Sequence, residues 1–550
     1  MPLSAFRLSF GLLSVLALGA MLQAATPVNP IRLDTIGYLP ESRKEASVDG
    51  TCRSFRIIDS NTGSEVYSGT ATRRVTDADT HETLTIVDFS ALTRPGQYRL
   101  EIPGVGRSAP FLIGDDVYRA PYYLVTRAMY LWRCGTEVSE TYEGVTFHQS
   151  ACHLNDAWTD YINGRHERID ATGGWHDAGD YNKYVVNAGI SVGSMLRAWE
   201  DFGPRIAEVQ MNLPESGGPI PDLLAEVKWE TDWLLKMQAP DGSVYHKISA
   251  LHFCPFIMPA QETGPRYFVP WSSEATADFV AVMAQMSRDI RPYDAVYADR
   301  CLAAARKSYT FLLAHPAEHH SEQSQFHTGA YDTGDADERL WAAAELWDTT
   351  GDAAVLRDLE TRIRTAKAVV EPRWDWGDVQ NLGSFTYVLS TRPGRDPSLV
   401  AEVRRHIVAA ADQIVATARA DGYNRPLGSI YYWGGNGCVA RQTMNLEIAY
   451  RLTGDKDYRA TMLDALHYLF GRNVNGRSYV TGLGFEPPMH PHDRRSASDG
   501  IVPPWPGYLV GGPNPGPADW HDDERDYRTN EIAINWNTAL IYALAAQLPR

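Results

Sequence analysis

From about residue 117 to residue 547, helical segments succeed one another with no strand pattern between them, and no other feature narrows the possible folds as far. Apolar residues recur at helical spacing over roughly 117–134, 181–202, 221–238, 273–289, 294–315, 336–349, 353–370, 398–419, 438–453, 457–471 and 531–547. About a dozen helices without a sheet must bury their apolar stripes on one another, so a toroid of paired helices around a central cleft is expected. No strict repeat supports a uniform solenoid. Two long loops interrupt the helices, Ala239 to Pro270 and Asn473 to Asn530, and their aromatics and turn residues favour a functional role.

Before Gly114 the texture differs. Short β-like runs at Ile31 to Ile36, Ser54 to Ile58, Glu65 to Ser68, Leu84 to Phe89, Gln97 to Ile102 and Ala109 to Ile113 are separated by turns such as Pro95-Gly96. Their intervals predict a small all-β, immunoglobulin-like sandwich. Cys52 stands alone in it, which excludes a sandwich disulfide. Residues Met1 to about Ala25 carry Arg7, an apolar run from Leu8 to Leu22 and a small-residue cleavage region, the pattern of a secretory signal. The expected division is therefore 1–25 signal peptide, 26–114 sandwich and 115–550 helical domain, in a secreted monomer that is periplasmic or extracellular.

A formal net charge of -17 argues against nucleic acid or an anionic membrane as the main partner. With 15 Trp and 28 Tyr, many in polar stretches such as the one around Trp376, the chain has material for platforms on which sugar rings stack.

The stretch Gly173 to Val186, GGWHDAGDYNKYVV, sets Asp177 and Asp180 three residues apart with only Ala178 and Gly179 between them. Small residues between acids leave room for substrate or water, and a helix starting at Asp180 would hold the loop; an acidic helix cap without chemistry is the alternative. Cys134, Cys152, His153 and His176 make a Cys₂His₂ set suited to structural zinc, and a Cys134–Cys152 disulfide is the competing reading. The acidic loop around Asp335 and Glu338, helped by Asp378, is a candidate for calcium, with capping of the next helix as the alternative. At the far end Glu531 sits at an expected helix start, close in sequence to Tyr527 and downstream of His492, Arg494, Asp499 and Asp522. A distant carboxylate added to a paired-Asp loop is the kit of a glycosidase, one acid for the leaving oxygen and one base for water.

These residues resemble glycoside hydrolase family 9, in the subgroup with an immunoglobulin-like domain ahead of an (α/α)₆ barrel of cellulase type. GGWHDAGDYNKYVVNAG is similar to the family's catalytic-base segment, SYVTGLGFEPPMHPHDRRSASDG to its histidine signature and WHDDERDYRTNEIAINWNT to its acid signature. The resemblance covers essentially the whole mature chain. It implies Asp180 as general base with Asp177 holding the same water, Glu531 as general acid, and His492 and Arg494 on the sugar hydroxyls with Asp499 and Asp522 supporting them. It also implies zinc on the Cys₂His₂ set, and inversion, with acid and base about 6.5–9.5 Å apart. Asp493 stands where the family often has a second His.

The expected activity is that of an inverting β-1,4-glucanase on soluble or amorphous β-glucan, without organic cofactor. An exo-acting cellodextrinase, β-glucosidase or β-glucosaminidase on the same fold is the nearest alternative, with the Ala239 to Pro270 loop as the element that would block one end of the cleft. A non-catalytic sugar-binding protein would be expected to have lost one of the three carboxylates. A zinc hydrolase fails because a closed Cys₂His₂ shell leaves no position for water.

Overall fold

Apolar side chains at every second position, interrupted by turn residues, build the first region as strands. In this computed structural model, which describes residues 28–549, nine strands form it: β1 (Ile31–Arg32), β2 (Gly37–Tyr38), β3 (Glu45–Asp49), β4 (Ser54–Asp59), β5 (Glu65–Thr76), β6 (Thr83–Asp88), β7 (Gly96–Ile102), β8 (Gly106–Arg107) and β9 (Phe111–Ile113). Their order is β1-β3-β6-β5-β4-β7-β9-β2, with β8 beside β7. The long β5 is the corner: its first half pairs with β4 and its second half with β6, each with a register shift. Val48 and Val87 from one half meet Phe55, Leu100 and Phe111 from the other in a common core. The expected signal peptide lies outside the described residues.

β3 is not among the strands expected from sequence. Its Glu45 and Ser47 are polar yet buried, because they face the helices. Arg472, itself fully buried, donates to Glu45 Oε2 at 3.0 Å and to Ser47 Oγ at 3.1 Å. Nearby, Arg43 pairs with Asp464 and Thr35 donates to the Phe470 carbonyl at 2.6 Å.

Twelve helices of ten residues or more follow among the described residues: α1 (Arg119–Leu131), α2 (Val185–Ile206), α3 (Asp222–Met237), α4 (Ser273–Ile290), α5 (Ala295–Ala314), α6 (Ala336–Thr350), α7 (Ala353–Thr365), α8 (Gln380–Leu389), α9 (Pro397–Ala420), α10 (Gly435–Thr453), α11 (Lys456–Leu469) and α12 (Ile534–Ala545). α2 packs on α4, α4 on α6, α6 on α8, α10 on α12, and α12 back on α2. α8 reaches α10 through Asn381, which donates to Asn445 Oδ1 at 3.5 Å. The odd-numbered helices lie against this series, α1 on α12, α3 on α2, α5 on α4, α7 on α6, α9 on α8 and α10, and α11 on α10. The sequence explains the two layers: every residue of α12 is buried, whereas α7 buries only Val355, Leu356, Leu359 and Ile363 along one stripe. No helix among the described residues is long and apolar enough to cross a membrane.

α8 was not expected from sequence. Its Gly383 weakens the helical signal, yet a Cβ there would come within 2.6 Å of Leu340 Cδ2 and 2.9 Å of Trp341 Cα, so glycine is what lets α8 approach α6. Two starts are also corrected. α2 begins at Val185, because Lys183–Tyr184 form a strand beside Lys247–Ser249, itself paired with Tyr267–Phe268 inside the supposedly irregular Ala239 to Pro270 loop. α12 begins at Ile534, three residues after Glu531.

Removing Arg472 leaves Glu45 buried without its cation. Arg472→Leu is expected to destabilise the β-region's docking by about 3 kcal/mol and to split thermal unfolding into two steps by calorimetry; a single transition at the original temperature would show that this ion pair does not join the two parts.

Candidate active site

The loop at 177–180 is anchored by backbone pairing to two distant segments. Ala178 bridges Ala533, and the Ile534 amide donates to the Asp177 carbonyl at 3.0 Å. The Gly179 carbonyl accepts Arg494 Nη1 at 2.8 Å, and a Cβ on Gly179 would lie 2.1 Å from the His492 carbonyl oxygen. His492 in turn bridges Glu531 in parallel, and the Gly511 amide donates to the Glu531 carbonyl at 2.8 Å. Asp177, Asp180 and Glu531 therefore reach one cleft of about 630 Å³, lined also by Tyr184, Phe253, Tyr331, Trp376, Trp433 and Trp536.

Each carboxylate has a different setting. Asp177 Oδ1 accepts Asn187 Nδ2 at 2.7 Å and Oδ2 accepts the Tyr331 hydroxyl at 2.8 Å. Burial first, and then the charge of Asp180, push Asp177 well above the usual carboxylate range, against the pull of those two donors. Asp180 Oδ2 accepts Asn182 Nδ2 at 2.6 Å and the Tyr184 hydroxyl at 3.1 Å, which leaves Oδ1 free of protein donors. Its Oδ2 is thus engaged within its own loop, five residues before α2, whose cap position is Tyr184, so the helix-cap reading falls. Glu531 is 8% exposed; burial, then the charges of Asp180 and Asp177, hold it well above the usual range, while Arg494 and Trp433 lower it. It too caps nothing, since the α12 cap position is Ala533.

Sequence reasoning missed the donors Asn187, Tyr184 and Tyr331. Asn187 and Tyr184 lie within the motif itself, but only the fold brings Tyr331 across from a loop 154 residues away. His492 stands beside Phe256, ring centroids 5.4 Å apart, and its Nδ1 hydrogen bonds the Glu524 carbonyl. Burial lowers its pKa, which keeps the imidazole neutral. Arg494 lies near the faces of Phe253 and Phe256 and donates from Nε to the Cys254 carbonyl at 2.9 Å. Trp376 lines the cleft as expected.

Neither His492 nor Arg494 is among the cleft-lining residues, and three further expected site residues sit elsewhere. Asp522 accepts the Met489 and His490 amides at 2.8 Å each and Asn530 Nδ2 at 3.2 Å, so it ties the histidine loop to the segment before Glu531 and is not among the cleft-lining residues. Asp499 accepts the Trp505 indole at 2.8 Å and the Ile501 amide at 2.9 Å, away from the cleft. Tyr527 is exposed, edge-on to Trp433 at 5.6 Å, and lies on the rim. Asp493, the departure from the family pattern, is buried in a pair with Arg495.

The sulfurs and ring nitrogens of Cys134, Cys152, His153 and His176 lie within 4.8 Å of one another. Both cysteines are free thiols, so the disulfide reading falls. Glu262 Oε2 lies 3.0 Å from His153 Nε2 and orients that ring. Two thiols and two imidazoles, nearly all buried and close enough to share one ion, fit a closed tetrahedral metal site.

The calcium trio is corrected. Asp335 is taken up by Arg339 Nε at 2.7 Å. Burial first, and then the charge of Asp337, raise both Glu338 and Asp378, the latter to about 6. Glu338 is fully buried with neither oxygen hydrogen bonded.

Residues 118–544 match the profile of "Glycosyl hydrolase family 9" and residues 26–107 that of "Cellulase N-terminal ig-like domain". Endoglucanase D of Acetivibrio thermocellus is 53% identical over 518 residues, which cover 94% of this chain and 83% of that protein. A metagenome-derived glycoside hydrolase family 9 endoglucanase superposes with a TM-score of 0.89 at 34% identity, covering 94% of this chain and 98% of that one. A Zn-binding triple mutant of the family 9 endoglucanase J30 does so with a TM-score of 0.85 at 34% identity, covering 93% and 99%. With the three carboxylates on one cleft and both profiles matched in order, the chain belongs to glycosyl hydrolase family 9 and is a glycoside hydrolase of the endo-β-1,4-glucanase type.

Proposed function

We propose that the twelve helices close as an (α/α)₆ barrel whose cleft hydrolyses internal β-1,4-glucosidic bonds with inversion. The observation that carries the reading is the convergence of three carboxylates on one cleft, with protein donors on Asp177 and Asp180 and with burial and neighbouring charge favouring a protonated Glu531. Glu531 gives its proton to the leaving glycosidic oxygen. Water enters between the paired aspartates: Asp180 accepts its proton on the free Oδ1, and Asp177, fixed by Asn187 and Tyr331, holds the same water in line. His492 donates to or accepts from sugar hydroxyls as a neutral ring, and Arg494 steadies the aromatic wall at Phe253 and Phe256. Trp376, Trp433 and Trp536 are the surfaces on which glucosyl rings stack.

Zinc on Cys134, Cys152, His153 and His176 would serve structure, neutralising two thiolates and pinning the aspartate loop to the chain just after α1 and to the loop at Cys152-His153. A Zn-binding triple mutant of the family 9 endoglucanase J30 supports zinc binding on this fold. For the acidic corner our reading is calcium on Asp337, Glu338 and Asp378, because a hard cation would relieve their mutual repulsion and the unpartnered Glu338 oxygens. The apolar run at Leu8 to Leu22 supports export.

Glu531→Gln is expected to lower kcat on cellopentaose by about 10²- to 10⁴-fold with little change in KM. Anomer-resolved NMR of the wild-type digest should show α-anomer first, from internal cuts; early β-anomer or only terminal glucose would refute inversion or endo action. The basic limb of kcat/KM belongs to Glu531, which must be protonated, so activity falls as pH rises through its elevated pKa. Tyr331→Phe removes a donor that favours ionised Asp177; that pKa rises further, and the acidic limb should move to higher pH. An unmoved acidic limb would detach Tyr331 from the base. Chelation should strip the thiol-bound zinc and lower the melting temperature while initial turnover persists below it; immediate loss of turnover by the still-folded protein would reverse the structural assignment.

A further inference from the structure

The segment after α5, residues 315–330, is rich in histidine and acid and has no part in the chemistry above. Three side chains around it converge. Glu274 in the first turn of α4, His320 and Asp332 each offer one ligand atom, and these atoms lie within 4.8 Å of one another. His320 Nδ1 is 2.7 Å from Asp332 Oδ1, while its other nitrogen, Nε2, is 2.7 Å from Glu318 Oε1. A carboxylate on the far nitrogen is what fixes the tautomer and orientation of a metal-ligating imidazole.

Glu274 supplies the independent sign of a ligand. Its side chain is fully buried, and neither of its oxygens has a hydrogen-bond partner. His246 Nδ1 lies 3.7 Å from Oε1 and is already hydrogen bonded to Ser272 Oγ at 2.8 Å. Burial of an unpartnered carboxyl disfavours its charged form, and a cation set against it would restore that form. His320 and Asp332 are 51% and 48% exposed, so an ion could enter from solvent and find Glu274 behind them.

We propose that Glu274, His320 and Asp332 bind a divalent first-row transition ion at the rim of the cleft, with Glu318 as the carboxylate that orients His320. One imidazole with two carboxylates suits zinc, manganese or cobalt better than calcium, and three protein ligands leave a coordination position for water. The site has a mechanical consequence. Asp332 directly follows Tyr331, whose hydroxyl holds Asp177 at 2.8 Å, so an ion bridging Asp332 to α4 clamps the loop that positions this donor. The Ser273 amide, donating to the His319 carbonyl at 2.9 Å, already ties the same loop to the same helix end.

The test is calorimetric titration of Zn²⁺ into the purified full-length enzyme after its tightly held metal has been counted. Wild type and His406→Ala, an exposed histidine on α9, should each take up one further zinc per chain. His320→Ala should weaken that uptake at least tenfold, and Glu318→Gln, which keeps all three ligands, by about tenfold. Added zinc should raise the melting temperature of wild type and leave that of His320→Ala unmoved. No further uptake by wild type, or the same affinity in folded His320→Ala, would overturn the proposal and leave His320 as an imidazolium shared between two carboxylates. Any vacancy in the Cys₂His₂ set is filled with zinc before the titration, so the extra uptake and the melting shift report on Glu274, His320 and Asp332 alone.

Discussion

Backbone pairing among three remote segments is the constraint on which the site depends. The loop at 177–179, the turn at 492–494 and the strand-like stretch at 531–534 are held to one another by main-chain hydrogen bonds and by Arg494, and the carboxylates project from that knot. Side chains on flexible loops would lose the geometry that acid and base must share. Here the spacing is set by backbone, and Gly179 is required because the His492 carbonyl occupies the space of a Cβ.

Placing three carboxylates in one poorly solvated cleft is electrostatically unfavourable, and the site's chemistry follows from how that is resolved. Protein donors are concentrated on the aspartates: Asn187 and Tyr331 on Asp177, Asn182 and Tyr184 on Asp180. Burial first, and then the charges of the aspartates, push Glu531 toward the protonated form, and Asp177 is pushed the same way against the pull of its donors. Like groups in unlike settings thereby take the acid and base roles. Asp522, although absent from the cleft, contributes by tying the histidine loop to Asn530 beside the acid.

The surrounding scaffold serves the same rigidity. His176 of the Cys₂His₂ group directly precedes Asp177, and Glu262, which orients His153, belongs to the loop that also presents Phe253 to the cleft. The β-region buries Glu45 and Ser47 against Arg472, so it functions as a wall of the helical domain with polar, directional contacts in place of a purely apolar one.

Much of this was legible in the chain. Periodicity located eleven of the twelve helices and most of the strands, and residue type and company marked Asp177, Asp180, Glu531 and the four thiols and imidazoles as candidates, with helix caps and a disulfide as alternatives that the resemblance to family 9 argued against. Local signals failed where tertiary packing overrode them: α8 hides behind Gly383, which close approach to α6 demands, and β3 behind polar residues buried at an interface. Asp335 and Asp337 are equally acidic in sequence, and only the fold hands the first to Arg339 and leaves the second beside Glu338. The sequence by itself determined the fold class and which groups could do chemistry, since hydrophobic period and residue type are local properties. Which donor meets which carboxylate, and so which acid keeps its proton, was decided by tertiary structure alone, because burial and through-space charge depend on residues such as Tyr331 that chain distance does not reveal.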